Sequence, residues 1–326
     1  MASSTQRNTE QAAAPAADVW LPMPPEDVEG RPPSLRYQHW DGAADYPSDP
    51  SDCAFYVLPY MKDPAAVVRP LRVMPGLRVV QTLTAGIDHV APVLRDLPPG
   101  VRVCNARGVH EASTAELALT LTLASLRGIP AFVGAQRSGD WLQGIHPALA
   151  DRRVLIVGYG AIGAAVEERL LPFETAEVLR VARTSRTVAR GEVHALDALP
   201  EMLPRADVVI LCTPLTEATR RLVAADFLGR MKDGALLVNV ARGGVVDTDA
   251  LLAELATGRL RAALDVTDPE PLPPGHPLWQ APNVLISPHV GGATSAMRPR
   301  AVRLLRRQLT RWANEEQLEN VVHVTS

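Results

Sequence analysis

The sequence is short of several things, and each shortage narrows the field. Cysteine occurs three times in 326 residues, at Cys53, Cys104 and Cys212, with no CxxC spacing, so the three read as buried, reduced thiols of a cytoplasmic protein. No apolar run approaches the roughly eighteen residues needed to cross a bilayer, and membrane insertion is not expected. The opening MASSTQRNTEQAAAPAAD lacks an apolar signal core and has too little positive charge for a transit peptide. Residues 1–17 read as a disordered tail. Excess charge of one sign is missing too: the net charge is −3 and no Lys/Arg block forms a stripe, so neither a nucleic acid nor another strongly charged partner is indicated. HExxH and paired ligand spacings are absent, and no metal is expected.

What is present suits a globular binder of small molecules. A chain of 326 residues is too long for one ordinary core, so two domains with a cleft between them are expected. With 47% hydrophobic and 21% charged residues the core is sizeable. Short apolar runs at Val19–Leu21, Leu35–Trp40, Ala54–Leu58, Leu77–Leu83 and Val101–Cys104 have strand length and predict a small α/β lobe. Tyr56, Leu58, Tyr60 and Met61 follow the third of these runs and either line a pocket wall or belong to the core. STAELALTLTLASL, Ser113 to Leu126, opens with a Ser-x-x-Glu pattern, Ser113 with Glu116, that predicts a capping box and a helix buried on several sides.

From Val154 the alternation changes. Strand-like runs at 154–157, 178–181, 208–212, 235–240, 262–266 and 284–286 are separated by helical stretches and predict a parallel, doubly wound sheet. A final amphipathic helix sets Val302, Leu305, Leu309 and Trp312 against Arg303, Arg306 and Arg307, and returns the chain to the first lobe. The expected plan is a substrate domain from 18–112 and 294–326 and a dinucleotide-binding domain from 113–293.

The first strand of the doubly wound part runs directly into Gly158-Tyr-Gly160-Ala161-Ile162-Gly163 and then a helix. Glycine at these three positions serves a tight turn, close approach of the backbone to a pyrophosphate, and close packing of helix on strand. An NAD-selective site would carry Asp or Glu about twenty residues further on, at the end of the second strand. Val181-Ala182-Arg183-Thr184-Ser185-Arg186 stands there instead, with no acid. Two guanidinium groups and two hydroxyls suit a 2′-phosphate, so NADP(H) is preferred and NAD(H) stays possible; the alternative is a merely solvated basic loop.

Three further segments each fall at the C-terminal end of a predicted strand, where open α/β sheets bind ligands. They are Asn239-Val-Ala-Arg242-Gly-Gly-Val-Val-Asp247, Leu264-Asp265-Val-Thr-Asp-Pro-Glu270-Pro-Leu-Pro and Ser287-Pro-His289-Val-Gly-Gly-Ala-Thr294. Taken singly, Arg242, Glu270 and His289 would read as ordinary structural or surface residues. Together with the glycine turn and ELALTLTLASLR, these segments resemble the D-isomer-specific 2-hydroxyacid dehydrogenase family from about Gly86 to the end. DVTDPEPLPPGHPLW and the ARTSR loop are most similar to its glyoxylate and hydroxypyruvate reductases.

That resemblance implies a Rossmann-type domain plus a smaller flavodoxin-like α/β substrate domain, and a homodimer built mainly through the cofactor domain. It implies that Arg242 holds the carboxylate of a small 2-keto acid, that His289 is the general acid/base, and that Glu270 hydrogen-bonds its imidazole. It assigns Ala85 and Gly86, in LTAGIDH, to the loop whose amides receive the substrate carboxylate. Further cofactor contacts fall to Ala161, Ile162, Thr213, Pro214, Val240, Ala241 and Asp265, the last being equally readable as a buried turn carboxylate beside the active site. The residue types suit these roles: an Arg fork matches a carboxylate, and histidine titrates near neutrality. Formate enzymes of this superfamily pair the histidine with glutamine, and phosphite enzymes carry a lysine in the loop that here reads Thr84-Ala85-Gly86, so both alternatives are disfavoured. Dinucleotide-sensing corepressors share the fold and the triad and remain the alternative from another class.

Overall fold

The computed structural model describes residues 18–326, so the tail expected at 1–17 lies outside the described residues. The chain opens with β1 (Asp18–Leu21), β2 (Arg36–His39), β3 (Cys53–Val57), α1 (Pro64–Val68), β4 (Val79–Gln81) and β5 (Arg102–Cys104). Then come α2 (Glu111–Leu126), α3 (Ile129–Ser138), β6 (Arg153–Val157), α4 (Ala161–Leu170), β7 (Glu177–Val181) and a hairpin of β8 (Arg186–Val188) and β9 (Gly191–Val193). After these follow α5 (Leu199–Met202), β10 (Val208–Leu211), α6 (Ala225–Arg230), β11 (Leu236–Asn239), α7 (Thr248–Ala256), β12 (Arg261–Leu264) and β13 (Val284–Ile286). The chain closes with α8 (Met297–Ala313) and β14 (Val321–Val324). Two compact units result: one runs through Ala106 and resumes at Ala301–Ser326, and the other is Arg107–Arg300. The boundaries between these units lie at 106/107 and 300/301, six and seven residues from the expected divisions at 112/113 and 293/294.

In the first unit the sheet order is β14-β5-β4-β3-β1-β2, parallel except for β14. Its first five strands in sequence give the flavodoxin-like order. The exposed edge strand β14 was not expected from sequence. Trp20, Trp40, Tyr46 and Tyr56 form an aromatic cluster on this sheet, with Trp20 to its three partners at 5.6 to 6.2 Å between centroids. Tyr56 and Leu58 therefore belong to the core and not to a pocket wall, and the Tyr56 hydroxyl donates to the Val67 carbonyl at 2.8 Å. Met61 is exposed. Helix α8 buries Ala301, Leu304, Leu305, Gln308 and Leu309. Burial pushes the thiols of Cys53 and Cys104 up to about 12 and about 11, so neither is a ready nucleophile.

The second unit holds six parallel strands in the order β13-β12-β11-β10-β6-β7. Its central strands β10 and β11 are buried on both faces because both are covered. Leu155, Val157, Leu211 and Leu237 pack on one side, and Val154, Ile156, Val208, Ile210 and Val238 on the other with Ala115, Ala118 and Leu121 of α2. The chain moves outward from β6 to β7, where His194 continues the sheet beside Val181, and then crosses back to β10. The switch point of this doubly wound sheet is thus the gap between the C-terminal ends of β6 and β10.

The expected capping box is not formed. Helix α2 starts at Glu111, two residues before Ser113, because the Glu111 carboxylate accepts the Gly108 amide at 2.6 Å and closes the preceding turn. Ser113 is buried inside the helix and its hydroxyl meets that of Thr294 at 2.7 Å. Among the described residues no single helix is long and apolar enough to cross a membrane.

Candidate active site

At the switch point each glycine of the 158–163 turn has a separate reason to be glycine. Gly158 has φ +102°, and a Cβ there would lie 2.4 Å from the Thr213 amide nitrogen. Gly163 lets α4 lie on β6, since its Cβ would meet the Gly158 carbonyl oxygen at 2.7 Å and the Ile156 side chain at 3.1 Å. A Cβ at Gly160 would meet nothing within 4 Å. The open side of the turn is therefore at Gly160, beside exposed Ala161 and the first amides of α4, which have no acceptor within the helix. A dinucleotide pyrophosphate fits this cradle, because helix N-terminal amides bind anions where the backbone is bare. Thr213, Val240 and Ala241 are buried at the ends of β10 and β11, and Pro214 is exposed.

The basic segment after β7 is exposed at Arg183, Thr184, Ser185 and Arg186. Arg183 carries no hydrogen bond or ion pair among the described residues. Arg186 opens β8 and folds back so that Nη2 donates to the carbonyl of Tyr159, inside the glycine turn. Beneath lies a polar group that the sequence did not signal: Glu167 of α4, nearly fully buried, accepts from Arg180 of β7 and from the Tyr159 hydroxyl. Burial works against the charge of Glu167, yet the Arg180 and Tyr159 hydrogen bonds and the Arg180 charge carry its carboxyl below the usual range. This acid is spent on an arginine and a phenol beneath the turn.

At the ends of β11, β12 and β13 the expected triad is brought into one unit. Arg242 follows β11, and Asn239 grips its loop from both sides: Oδ1 accepts the Ala241 amide at 3.0 Å and Nδ2 donates to the Arg242 carbonyl at 3.1 Å. Glu270 lies on the loop after β12 and His289 on the loop after β13. His289 Nδ1 meets Glu270 Oε1 at 2.5 Å, with both side chains partly exposed. Partial burial works to raise the Glu270 carboxyl, but the hydrogen bond and charge of His289, and then the charge of Arg242, hold it below the usual carboxylate range. His289 is held at φ +53°, a left-handed conformation uncommon for a non-glycine residue and characteristic of sites where geometry matters more than local strain.

Asp265, expected among the cofactor contacts, turns its carboxylate to the loop that carries His289. Oδ1 accepts the Ser287 hydroxyl at 2.6 Å and the Val290 amide at 2.9 Å, and Oδ2 accepts the Gly291 amide at 2.9 Å. Its own carbonyl accepts the His289 amide at 2.7 Å. The buried-turn alternative describes this geometry, with Asp265 anchoring the loop on both sides of the histidine. Asn239 and Ser287 carry no signal in the sequence beyond their spacing from Arg242 and His289. Among the described residues no group of three or more His, Cys, Asp or Glu side chains is placed to hold a metal ion.

In the first unit, Ala85 and Gly86 lie on the loop after β4. Asn105 Nδ2 donates to the Ala85 carbonyl at 2.9 Å, and the Thr84 hydroxyl to the Gly86 carbonyl at 2.6 Å.

A doubly wound domain with a glycine turn at its switch point defines a dinucleotide-binding protein, and its strand ends carry an Arg, Glu and His set. The family model described as D-isomer specific 2-hydroxyacid dehydrogenase, NAD binding domain, matches residues 119–291. A glyoxylate reductase/hydroxypyruvate reductase of Homo sapiens is 38% identical over 231 residues, covering 68% of this chain and 70% of that protein. A D-isomer specific 2-hydroxyacid dehydrogenase family protein of Aeromonas salmonicida superposes with TM-score 0.82 at 28% identity, over 95% of this chain and 99% of that one. Another from Xanthobacter autotrophicus, solved with NADPH and MES, gives TM-score 0.78 at 31% identity over 95% and 98% of the two chains. The chain belongs to the D-isomer-specific 2-hydroxyacid dehydrogenase family and is an NAD(P)-dependent oxidoreductase.

Proposed function

We propose that the protein reduces a small 2-keto acid, of the glyoxylate or hydroxypyruvate kind, to the D-2-hydroxy acid, with NADPH preferred over NADH. The observation that carries this reading is the His289–Glu270 contact at 2.5 Å, with Arg242 near enough for its charge to lower the Glu270 carboxyl. A nicotinamide cofactor held at the 158–163 turn would supply the hydride for the carbonyl carbon. The Arg242 fork takes the substrate carboxylate and polarises the adjacent carbonyl. With Glu270 at Nδ1, the imidazole holds a proton there and delivers another from Nε2 to the carbonyl oxygen as it becomes a hydroxyl. Oxidation reverses this, with neutral imidazole taking the hydroxyl proton at Nε2.

Three things support NADPH: no acid stands at the end of β7, Arg183 and Arg186 are exposed there, and the Xanthobacter relative was solved with that cofactor. A homodimer through the dinucleotide-binding unit is supported by an apolar surface on α3 and the segment after it. Ile129 and Val133 are about half exposed, and Trp141, Leu142 and Ile145 more so, which is unusual for a surface that faces only water. The test is steady-state oxidation of NADPH and NADH against a panel of 2-keto acids with the parent and Arg242→Lys. Turnover of glyoxylate or hydroxypyruvate by the parent and a loss of about a hundredfold in kcat/KM for the lysine variant are expected, since charge without the planar fork is insufficient. A parent inert to every keto acid would overturn the reading.

A further inference from the structure

The loop that presents Ala85 and Gly86 is built in an unusual way. Its three carbonyl oxygens are all taken: the Ala106 amide donates to Thr84 at 2.9 Å, Asn105 Nδ2 to Ala85 at 2.9 Å, and the Thr84 hydroxyl to Gly86 at 2.6 Å. The amides of Ala85, Gly86 and Ile87 donate no hydrogen bond among the described residues. Each peptide is planar, with its carbonyl and the next residue's N–H pointing in opposite directions. Fixing the Ala85 carbonyl therefore fixes the Gly86 N–H, and fixing the Gly86 carbonyl fixes the Ile87 N–H. Successive amides held in this way make an anion-binding concavity.

The Asn105 backbone is itself fixed. Its backbone carbonyl accepts from Gln81 Nε2 at 3.1 Å, and Gln81 Oε1 accepts from Gln308 Nε2 at 2.8 Å. Gln81 and Gln308 are fully buried, so this chain of amides ties Asn105 to helix α8 through a low-dielectric core where each bond is held firmly. An exposed loop of small residues would otherwise sample many peptide orientations.

We infer that Asn105 and Thr84 are positioning residues for substrate binding: they aim the Gly86 and Ile87 amides at the carboxylate of the 2-keto acid. The inference rests on the 2-keto acid reading. Both side chains act through the backbone of the 84–86 loop, so substrate affinity responds more than turnover.

The test uses the NADPH-loaded enzyme with oxamate, an unreactive mimic that carries a carboxylate beside an amide carbonyl, together with KM and kcat for glyoxylate. Asn105→Ala and Thr84→Val each remove one net hydrogen bond, and each should raise the oxamate Kd and the glyoxylate KM about fivefold. NADPH Kd should stay within about twofold and kcat should fall less than KM rises. Thr84→Ser keeps the hydroxyl and should behave as the parent. Parental oxamate affinity in both single variants, or an equal loss of NADPH binding, overturns the inference. A parent that neither binds oxamate nor reduces glyoxylate removes the 2-keto acid reading and this one with it.

Discussion

Gly243 lies against the carbonyl of Thr267 so closely that a Cβ at residue 243 would sit 1.8 Å from that oxygen. The loop after β11 is thereby pressed on the loop after β12, setting the residue beside Gly243, Arg242, against the segment that leads to Glu270. Gly243→Ala places a methyl group on backbone that has no flexible side chain to yield. Overpacking of this kind costs about 1–3 kcal/mol, so Tm should drop by about 2–7 °C. The displaced Arg242 should lower kcat/KM for glyoxylate at least tenfold, by roughly the sensitivity of positioned groups to small displacements. Thermal scans and kinetics on one preparation check both, and parental values would mean that the two loops have slack.

Cofactor choice should reside in the segment after β7. Arg183→Ala and Arg186→Ala remove charge-assisted hydrogen bonds that only a 2′-phosphate can accept, each worth about 1.5 to 3 kcal/mol, so NADPH should weaken roughly tenfold or more per arginine. The larger effect is expected at Arg183, since Arg186 also holds the Tyr159 carbonyl and its loss should cost NADH slightly as well. Kd measured for both cofactors by fluorescence titration decides this. Equal losses for NADPH and NADH in both variants would assign the arginines to the fold alone.

The parts of this site that were legible in the sequence are those written in consecutive residues. The glycine turn, the strand runs of both units and the order of Arg242, Glu270 and His289 follow from local pattern, because strand ends in a doubly wound sheet converge on one edge. Contacts between distant segments were not legible. Asn105 meets Ala85 and Asp265 meets Ser287 only because neighbouring strands end side by side, and Glu167 meets Arg180 only because α4 is folded beside β7. The Ser113 and Glu116 pattern misled, since a Glu111 carboxylate on the Gly108 amide starts the helix earlier than a serine cap would. The hairpin β8–β9 was missed because its strands are short and largely exposed, giving no alternation to read.

The apolar surface around Trp141 should be where two copies meet. The segment is not loose: the His146 ring lies so close to Gly128 that a Cβ there would be 2.5 Å from its Cε1, and it meets the Phe132 ring edge-on at 5.0 Å. Trp141→Glu with Ile145→Glu charges the exposed end while sparing the glycine turn. Light scattering should show the parent as a dimer and the variant with a dimer Kd at least about tenfold weaker, as expected when a large aromatic anchor is lost. Dinucleotide binding should persist. An unchanged mass for the double variant, or a monomeric parent, sinks the assignment.

Proton delivery gives the sharpest test. Glu270 has its carboxyl held below the usual range, so it stays anionic throughout the neutral region. Its pairing with His289 contributes stability above the ordinary carboxylate value, and this is lost only as pH falls through the lower folded value. Reduction needs imidazolium, so kcat for the keto acid should fall on an alkaline limb. Glu270→Gln keeps a hydrogen-bonding group but removes the negative charge that favours imidazolium, and the limb should move to lower pH. Oxidation of the hydroxy acid needs the neutral ring, so its acidic limb should move in the same direction, giving the variant faster oxidation than reduction at a fixed acidic pH relative to the parent. His289→Ala should abolish both limbs and cost about a hundredfold to ten-thousandfold in kcat. Profiles of kcat against pH in both directions for the parent and the two variants measure this, and limbs unmoved in Glu270→Gln would show that the contact at 2.5 Å does not set the ring's protonation.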